Sequence, residues 1–121
     1  MRFCWVTINV KDLEESLYFY QEIIGLGINR RFKPDNDREI VFLGGGAQIE
    51  LIYDPKAENI VVGKDISLGF EVESLDKIKE VLKNNNIAIH SGPFQPNPSI
   101  QFIYVLDPNG IKIQFVENLQ I

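Results

Sequence analysis

Hydrophobic and polar positions along the chain follow two different periods, and the changes of period mark out the elements. Over residues 2–10, Cys4, Val6, Ile8 and Val10 fall on one side of a two-residue alternation and Phe3, Trp5, Thr7 and Asn9 on the other, the pattern of a β-strand. The cysteine–valine–isoleucine side is a core face, so the opposite side faces solvent or a cavity. The period then lengthens. Leu13, Leu17, Tyr20 and Ile24 recur at helical spacing behind Asp12 as N-cap, with Glu15 three residues on to complete a capping-box-like pair and Gly25 as terminator. Extended segments are predicted near 27–33, 38–43 and 47–53, with Gly44-Gly45-Gly46 as the hairpin turn between the last two. Residues 54–64 are polar and aperiodic and read as a linker.

The plan then repeats. Ser67-Leu68-Gly69-Phe70-Glu71-Val72 matches the first strand 62 positions later. Ile66, Leu68, Phe70 and Val72 alternate with Asp65, Ser67, Gly69 and Glu71. Ser74 caps a second helix with apolar positions Leu75, Ile78, Val81 and Leu82, ended by Asn84-Asn85-Asn86 because asparagine tolerates the left-handed conformation. Strands are predicted near 87–90, 100–106 and 111–117, with Asp107-Pro108-Asn109-Gly110 as the turn between the last two. Gly46–Ile52 lines up with Gly110–Val116, now 64 apart. Each half is therefore strand–helix–strand–strand–strand. The predicted domain spans 1–121, with repeat 1 at 1–54, a linker at 55–64 and repeat 2 at 65–121. The fold class is α+β: two βαβββ repeats forming an open, curved, eight-stranded mixed sheet with helices on the outer face and a concavity inside.

Composition narrows the functional classes. With 121 residues, 45% hydrophobic and 24% charged, the chain has the makeup of a globular domain with a substantial core. The net charge is −5, and basic residues gather only at Arg30-Arg31 and Lys33, which argues against nucleic acid as partner. That pair reads as a solvated strand edge or as a contact for an anionic ligand. A lone cysteine, Cys4, excludes an internal disulfide, and its core-face parity makes it a buried, inert thiol. The apolar runs are too short for a membrane span, and a cytoplasmic location is the default expectation.

Three stretches carry a family likeness. Val10–Tyr20, the strand Ile49-Glu50-Leu51-Ile52 and the turn Leu106-Asp107-Pro108-Asn109-Gly110, in this order and with the internal repeat, resemble the vicinal oxygen chelate superfamily. That superfamily includes glyoxalase I, extradiol dioxygenases, fosfomycin-resistance enzymes and bleomycin-resistance proteins. The resemblance covers nearly the whole chain and speaks for fold more than for reaction, because one fold hosts many chemistries. It implies four metal-ligand positions in the first and last strands of each half, which here are Trp5, Glu50, Ser67 and Gln114. Only Glu50 keeps the type expected of the glyoxalase I set. Tryptophan cannot ligate a cation, serine is a poor ligand and glutamine offers one neutral oxygen, whereas a transition-metal site needs about three imidazole, thiolate or carboxylate donors. No metal or other cofactor is expected, although a weak magnesium or calcium contact at Glu50 stays open.

Each candidate has two readings. Glu50 is a general base, its pKa raised by enclosure beside Trp5, or an idle carboxylate bonded to Gln114 or Ser67. Trp5 is a stacking platform for a planar ligand or fills the space of a departed metal. Phe94, in the proline-stiffened loop 94–99, touches ligand or lies on the surface. His90, the only histidine, reads as a polar residue at a strand end, with a catalytic part as the lesser alternative. The expected function is metal-independent binding of a small organic molecule at Trp5, Glu50, Ser67, Gln114 and Phe94, on the analogy of bleomycin-resistance proteins. The alternatives are a glyoxalase-like lyase, isomerase or dioxygenase using Glu50, and a structural module with a filled cavity. The resemblance and exposed strand edges also point to a homodimer.

Overall fold

The computed structural model describes residues 1–119. They form two compact units, Met1–Val61 and a second beginning at Val62, so the boundary falls inside the aperiodic stretch. In the first unit β1 (Trp5–Val10) leads into α1 (Leu13–Tyr18), followed by β2 (Ile28–Phe32), β3 (Glu39–Leu43) and β4 (Gln48–Tyr53). The second repeats the order with β5 (Ser67–Glu71), α2 (Leu75–Asn84), β6 (Ser91–Asn97), β7 (Ile100–Leu106) and β8 (Lys112–Asn118). The predicted βαβββ repeats are thus observed, and the architecture is α+β. The strands are hydrogen-bonded as two four-stranded mixed sheets, in the orders β1-β4-β3-β2 and β5-β8-β7-β6.

The duplication holds at the level of single residue pairs. In the first sheet β1 runs parallel to β4 with Trp5 opposite Gln48 and Thr7 opposite Glu50. In the second β5 runs parallel to β8 with Ser67 opposite Lys112 and Gly69 opposite Gln114. The antiparallel partners match too, Phe42 facing Glu50 and Tyr104 facing Gln114.

Burial follows the alternation. Ile8, Val10, Val41, Leu43, Ile49 and Leu51 pack with Leu13, Leu17, Tyr20 and Ile23 in the first unit's core. Ile103, Val105, Ile113 and Phe115 do so with Leu75 and Leu82 in the second. Each helix is capped at its start by a side-chain oxygen, and the second is also tied there to its sheet. Asp12 Oδ1 accepts the Glu15 N–H at 3.0 Å, and Ser74 Oγ accepts that of Lys77 at 3.2 Å. The carboxylate of Glu117, on β8, accepts the Leu75 N–H at 2.7 Å, so a strand residue satisfies one of the donors that a helix leaves open in its first turn.

Four expectations need correction. The first helix does not keep one period: Phe19–Ile23 is a π-helical turn, with the Ile24 N–H reaching the Phe19 carbonyl. The wider turn buries Ile23 in place of Ile24. Residues 87–90 are not a strand; the strand is Ser91–Asn97, which takes in most of the stretch expected to be a loop. Its prolines are accommodated because β6 pairs only with β7 and in a broken register, so a missing N–H costs no ladder bond on the outer side. Ile66 shares the alternation of the core face but lies ahead of β5 and is 60% exposed. Cys4 is half-buried, its thiol 3.5 Å from the Arg2 carbonyl oxygen, and so lies at the edge of the core. Among the described residues, no helix is long and apolar enough to cross a membrane.

Candidate functional site

In both units the face opposite the helix carries the unusual chemistry. In the first, parity aims Trp5, Thr7, Glu50, Phe42, Arg30 and Phe32 away from the residues that pack against α1. Trp5 meets the Phe42 ring edge-on at 5.2 Å and remains 49% exposed. The Arg30 guanidinium lies 4.9 Å from the centre of the Phe32 ring and 5.1 Å from that of Phe42, a cation–π arrangement with both rings. Glu50 is half-buried, and its Oε1 accepts a hydrogen bond from Thr7 Oγ1 at 2.5 Å. The partner of the carboxylate is therefore the neighbouring strand's hydroxyl. The two arginines that are adjacent in sequence face opposite ways. Arg31 pairs with Glu14 of α1 at 2.9 Å and Glu39 of β3 at 2.5 Å on the helix side. The Arg31 hydrogen bond holds the Glu39 carboxyl below its ordinary 4.5, and Arg31 is correspondingly raised, chiefly by Glu39 and then by Glu14. At the hairpin before β3, the backbone N–H groups of Arg38 and Asp37, with the Arg38 side chain, pull Asp35 down to about 2.

In the second unit the equivalent face holds Ser67, Gly69, Lys112, Gln114, Tyr104, Phe102 and Phe94. Gly69 stands where the first unit has Thr7, and a Cβ there would meet Gln114 Oε1 at 3.4 Å. Gln114 thus has no side-chain hydroxyl opposite it. Phe94, Phe102 and Tyr104 form an aromatic cluster with ring centres 5.5 to 6.2 Å apart. A hollow of about 390 Å³ opens beside it. Phe94, Tyr104 and Lys112 wall it on the strands, and His90 and Ser91 line it where β6 begins. Asp65, Ile66 and Ser67 complete the lining at the approach to β5. The His90 N–H donates to the Tyr104 carbonyl at 2.7 Å, which fixes the start of β6 against β7.

The four positions singled out in the sequence therefore lie on the predicted faces, Trp5 with Glu50 in one unit and Ser67 with Gln114 in the other, as diagonal neighbours on adjacent strands. Phe94 does line a hollow, from a strand and not from a loop. Sequence reasoning missed Tyr104, Lys112, Asp65, Ile66 and Ser91, and set His90 aside. Lys112 and Tyr104 were accessible to the same parity argument that chose Gln114: Lys112 sits two residues before it and Tyr104 directly across from it. The placement of Ser91 and His90 depends on where β6 starts, which two prolines obscured.

Residues 2–115 match the model of the Glyoxalase/Bleomycin resistance protein/Dioxygenase superfamily. The chain belongs to this superfamily. One relative, a lactoylglutathione lyase of Haemophilus influenzae, is 29% identical over 129 residues, spanning 98% of this chain and 93% of that protein. The fold matches a glyoxalase family protein of Bacillus cereus with a TM-score of 0.85 at 22% identity, covering 99% of this chain and 95% of that one. It also matches an antibiotic-binding protein from a Streptomyces species with a TM-score of 0.72 at 19% identity, covering 98% and 97%. Structural likeness at such identities shows the fold alone, on which glyoxalase-superfamily proteins build different chemistries.

Metal-dependent chemistry in this superfamily asks for a ligand set that the residues here do not match. Trp5 presents an indole, Ser67 a hydroxyl, Gln114 a neutral amide and only Glu50 a carboxylate, whose Oε1 already accepts the Thr7 hydroxyl. No group of three or more His, Cys, Asp or Glu side chains placed to hold a metal ion occurs among the described residues. A transition metal is held by about three such donors, so this donor set does not fit one.

Proposed function

We propose that this glyoxalase-superfamily protein binds a small organic molecule on the sheet faces opposite its helices, with no transition metal as intermediary. The donor set carries the reading: one carboxylate, one hydroxyl, one amide and an indole at Trp5, Glu50, Ser67 and Gln114 fall short of a transition-metal site. The hollow of about 390 Å³ beside Phe94 and Tyr104 supports it, being of the size that takes a small ligand. Trp5, 49% exposed, supports it as well: an indole serving only as filler would be enclosed, whereas this one offers a face for stacking. Homodimerisation and a cytoplasmic location form part of the same proposal and are checked by sedimentation and by cell fractionation. A thermal-shift screen of the purified protein, in chelator, against metabolites and antibiotics tests the main claim. A ligand at about 100 times its Kd adds about 2.7 kcal/mol and raises Tm on the order of 10 °C. Stabilisation by small molecules in chelator is the expected result. Stabilisation that appears only with zinc, nickel or cobalt overturns the proposal.

A second reading is favoured by the relatives, since the Haemophilus influenzae protein matched over 98% of this chain is a lactoylglutathione lyase. Here the protein is a glyoxalase-like lyase, isomerase or dioxygenase with Glu50 as general base, aided at most by a weakly held divalent ion. Glu50→Gln separates the two. A binder keeps its affinity for neutral and anionic ligands, whereas an enzyme relying on this base loses lactoylglutathione-forming turnover by ~100-fold or more.

A further inference from the structure

The hollow of the second unit has a polarity of its own, and it arises from strand register. Pairing of β7 with β6 and β8 sets Phe94 opposite Phe102 and Tyr104 opposite Gln114. The aromatic rings therefore gather on one side of the hollow, with Phe94 43% exposed. Pairing of β5 with β8 sets Ser67 opposite Lys112, which places an ammonium and a hydroxyl together on another wall. Ser91 and Tyr104, each carrying a hydroxyl, belong to the same lining. Against them stand a single carboxylate, Asp65, on an exposed residue ahead of β5, and the imidazole of His90. Lys112 forms no salt bridge among the described residues, with Asp65 or any other carboxylate. A half-buried lysine without a salt bridge, in a lining that also holds Ser67, Ser91 and the aromatic side chains of Phe94 and Tyr104, is complementary to a flat apolar body with an anionic end.

We infer that this hollow binds a planar aromatic carboxylate, its ring against Phe94 and Tyr104 and its carboxylate at Lys112. The inference rests on the binding reading above and adds the ligand's chemical class. The ring gains from displacing water from aromatic surface, and the ammonium supplies a charge-assisted bond that a neutral analogue lacks.

The test is calorimetric titration of the full chain at low ionic strength with four probes: 1-naphthoate, 1-naphthalenemethanol, 1-naphthylmethylammonium and cyclohexanecarboxylate. The expected order puts 1-naphthoate first, about tenfold tighter than the alcohol, with the ammonium and the saturated acid weaker still. Lys112→Gln removes the preference for 1-naphthoate while leaving affinity for the alcohol within about twofold, and Lys112→Arg restores it. Phe94→Ala weakens both the naphthoate and the alcohol by about five- to tenfold. Both lysine variants lie on a solvent-facing wall, and their unfolding curves serve as the check on folding. The inference is overturned if 1-naphthylmethylammonium equals or exceeds 1-naphthoate, if the saturated acid does so, if Lys112→Gln leaves the naphthoate affinity unchanged, or if no naphthalene probe binds in the millimolar range. A metal-free ligand found in the thermal-shift screen alongside any of these results leaves the binding reading standing without this ligand class. Stabilisation restricted to metals removes the binding reading itself.

Discussion

The turn between β7 and β8 permits a quantitative prediction, because its stability rests on one buried carboxylate. Asp107 is 4% exposed, and its Oδ1 accepts the N–H groups of Asn109 and Ile111, each at 2.8 Å. Its Oδ2 accepts Nδ2 of Asn109, also 4% exposed, at 3.1 Å. Asp107→Ala deletes these bonds while the backbone bonds of the turn, from the Asp107 N–H to the Ile111 carbonyl and from the Gly110 N–H to the Asp107 carbonyl, are retained. One stranded N–H is buried, costing roughly 1–3 kcal/mol, and that of half-buried Ile111 recovers part of its bond from water. Relief from carboxylate desolvation offsets some of the loss, so the expected cost is about 2–3 kcal/mol. Asp107→Asn keeps the Oδ1 acceptor for both N–H groups and is expected to cost about 1 kcal/mol. Urea unfolding followed by far-ultraviolet circular dichroism gives the two values, and hydrogen exchange at the Ile111 amide locates them. The reasoning is refuted if the alanine variant lies within about 0.5 kcal/mol of wild type, or if asparagine costs as much as alanine. The turn matters to the site because it fixes Leu106 against Lys112 and Tyr104 against Gln114. A one-residue slip would carry Lys112 to the helix face.

Other predictions concern surface electrostatics and turn geometry. Glu39 has a folded-state pKa below its ordinary 4.5, so its pairing with Arg31 stabilises the fold fully above that value and is lost as pH falls through the depressed one. Arg31→Gln is accordingly expected to cost about 0.5–1 kcal/mol at neutral pH, modest because the arginine is partly exposed, and less at an acid pH below the depressed value, where Glu39 is protonated. Equal urea-midpoint shifts at the two pH values would sink this account. Gly110 sits at φ +94°, and a Cβ there would lie 3.3 Å from Val62 Cγ2, so Gly110→Ala is expected to cost about 1–2 kcal/mol. Gly45, with open space and no positive φ, is the control: Gly45→Ala should be neutral within about 0.5 kcal/mol by the same measurement.

Much of the fold was legible because it is written in periods. Alternation in 2–10 and 65–72, caps at Asp12 and Ser74 and the two hairpin turns yielded the βαβββ repeat, and matching offsets yielded the partners of Trp5 and Glu50 in the second half. Asn86 does take a left-handed conformation after α2, at φ 57°. What was not legible depended on interactions that a period does not encode. The π-helical turn after Tyr18 shifts burial by one residue, from Ile24 to Ile23, without any local sequence signal. The prolines of 93–98 argued for a loop because the pairing of β6 on one side only, which makes them tolerable, is a tertiary fact. Parity chose the faces of Ser67 and Gln114 correctly and extends to Tyr104 and Lys112, but the hollow is completed by His90 and Ser91, whose place depends on how β6 pairs with β7.

The matching strand order of the two halves, with the same register between first and last strands, has a consequence for how such a chain changes over time. Thr7 faces Glu50 in one copy and Gly69 faces Gln114 in the other, on backbones with the same strand order and the same partners. Chemistry on one side of each sheet differs between the copies, acid and hydroxyl in one and amide and bare backbone in the other, while the helix-facing side is apolar in both. Recognition and foldability are thus inherited on separate residues, and a new specificity can arise by rewriting one copy's outward letters while the scaffold is left as it was.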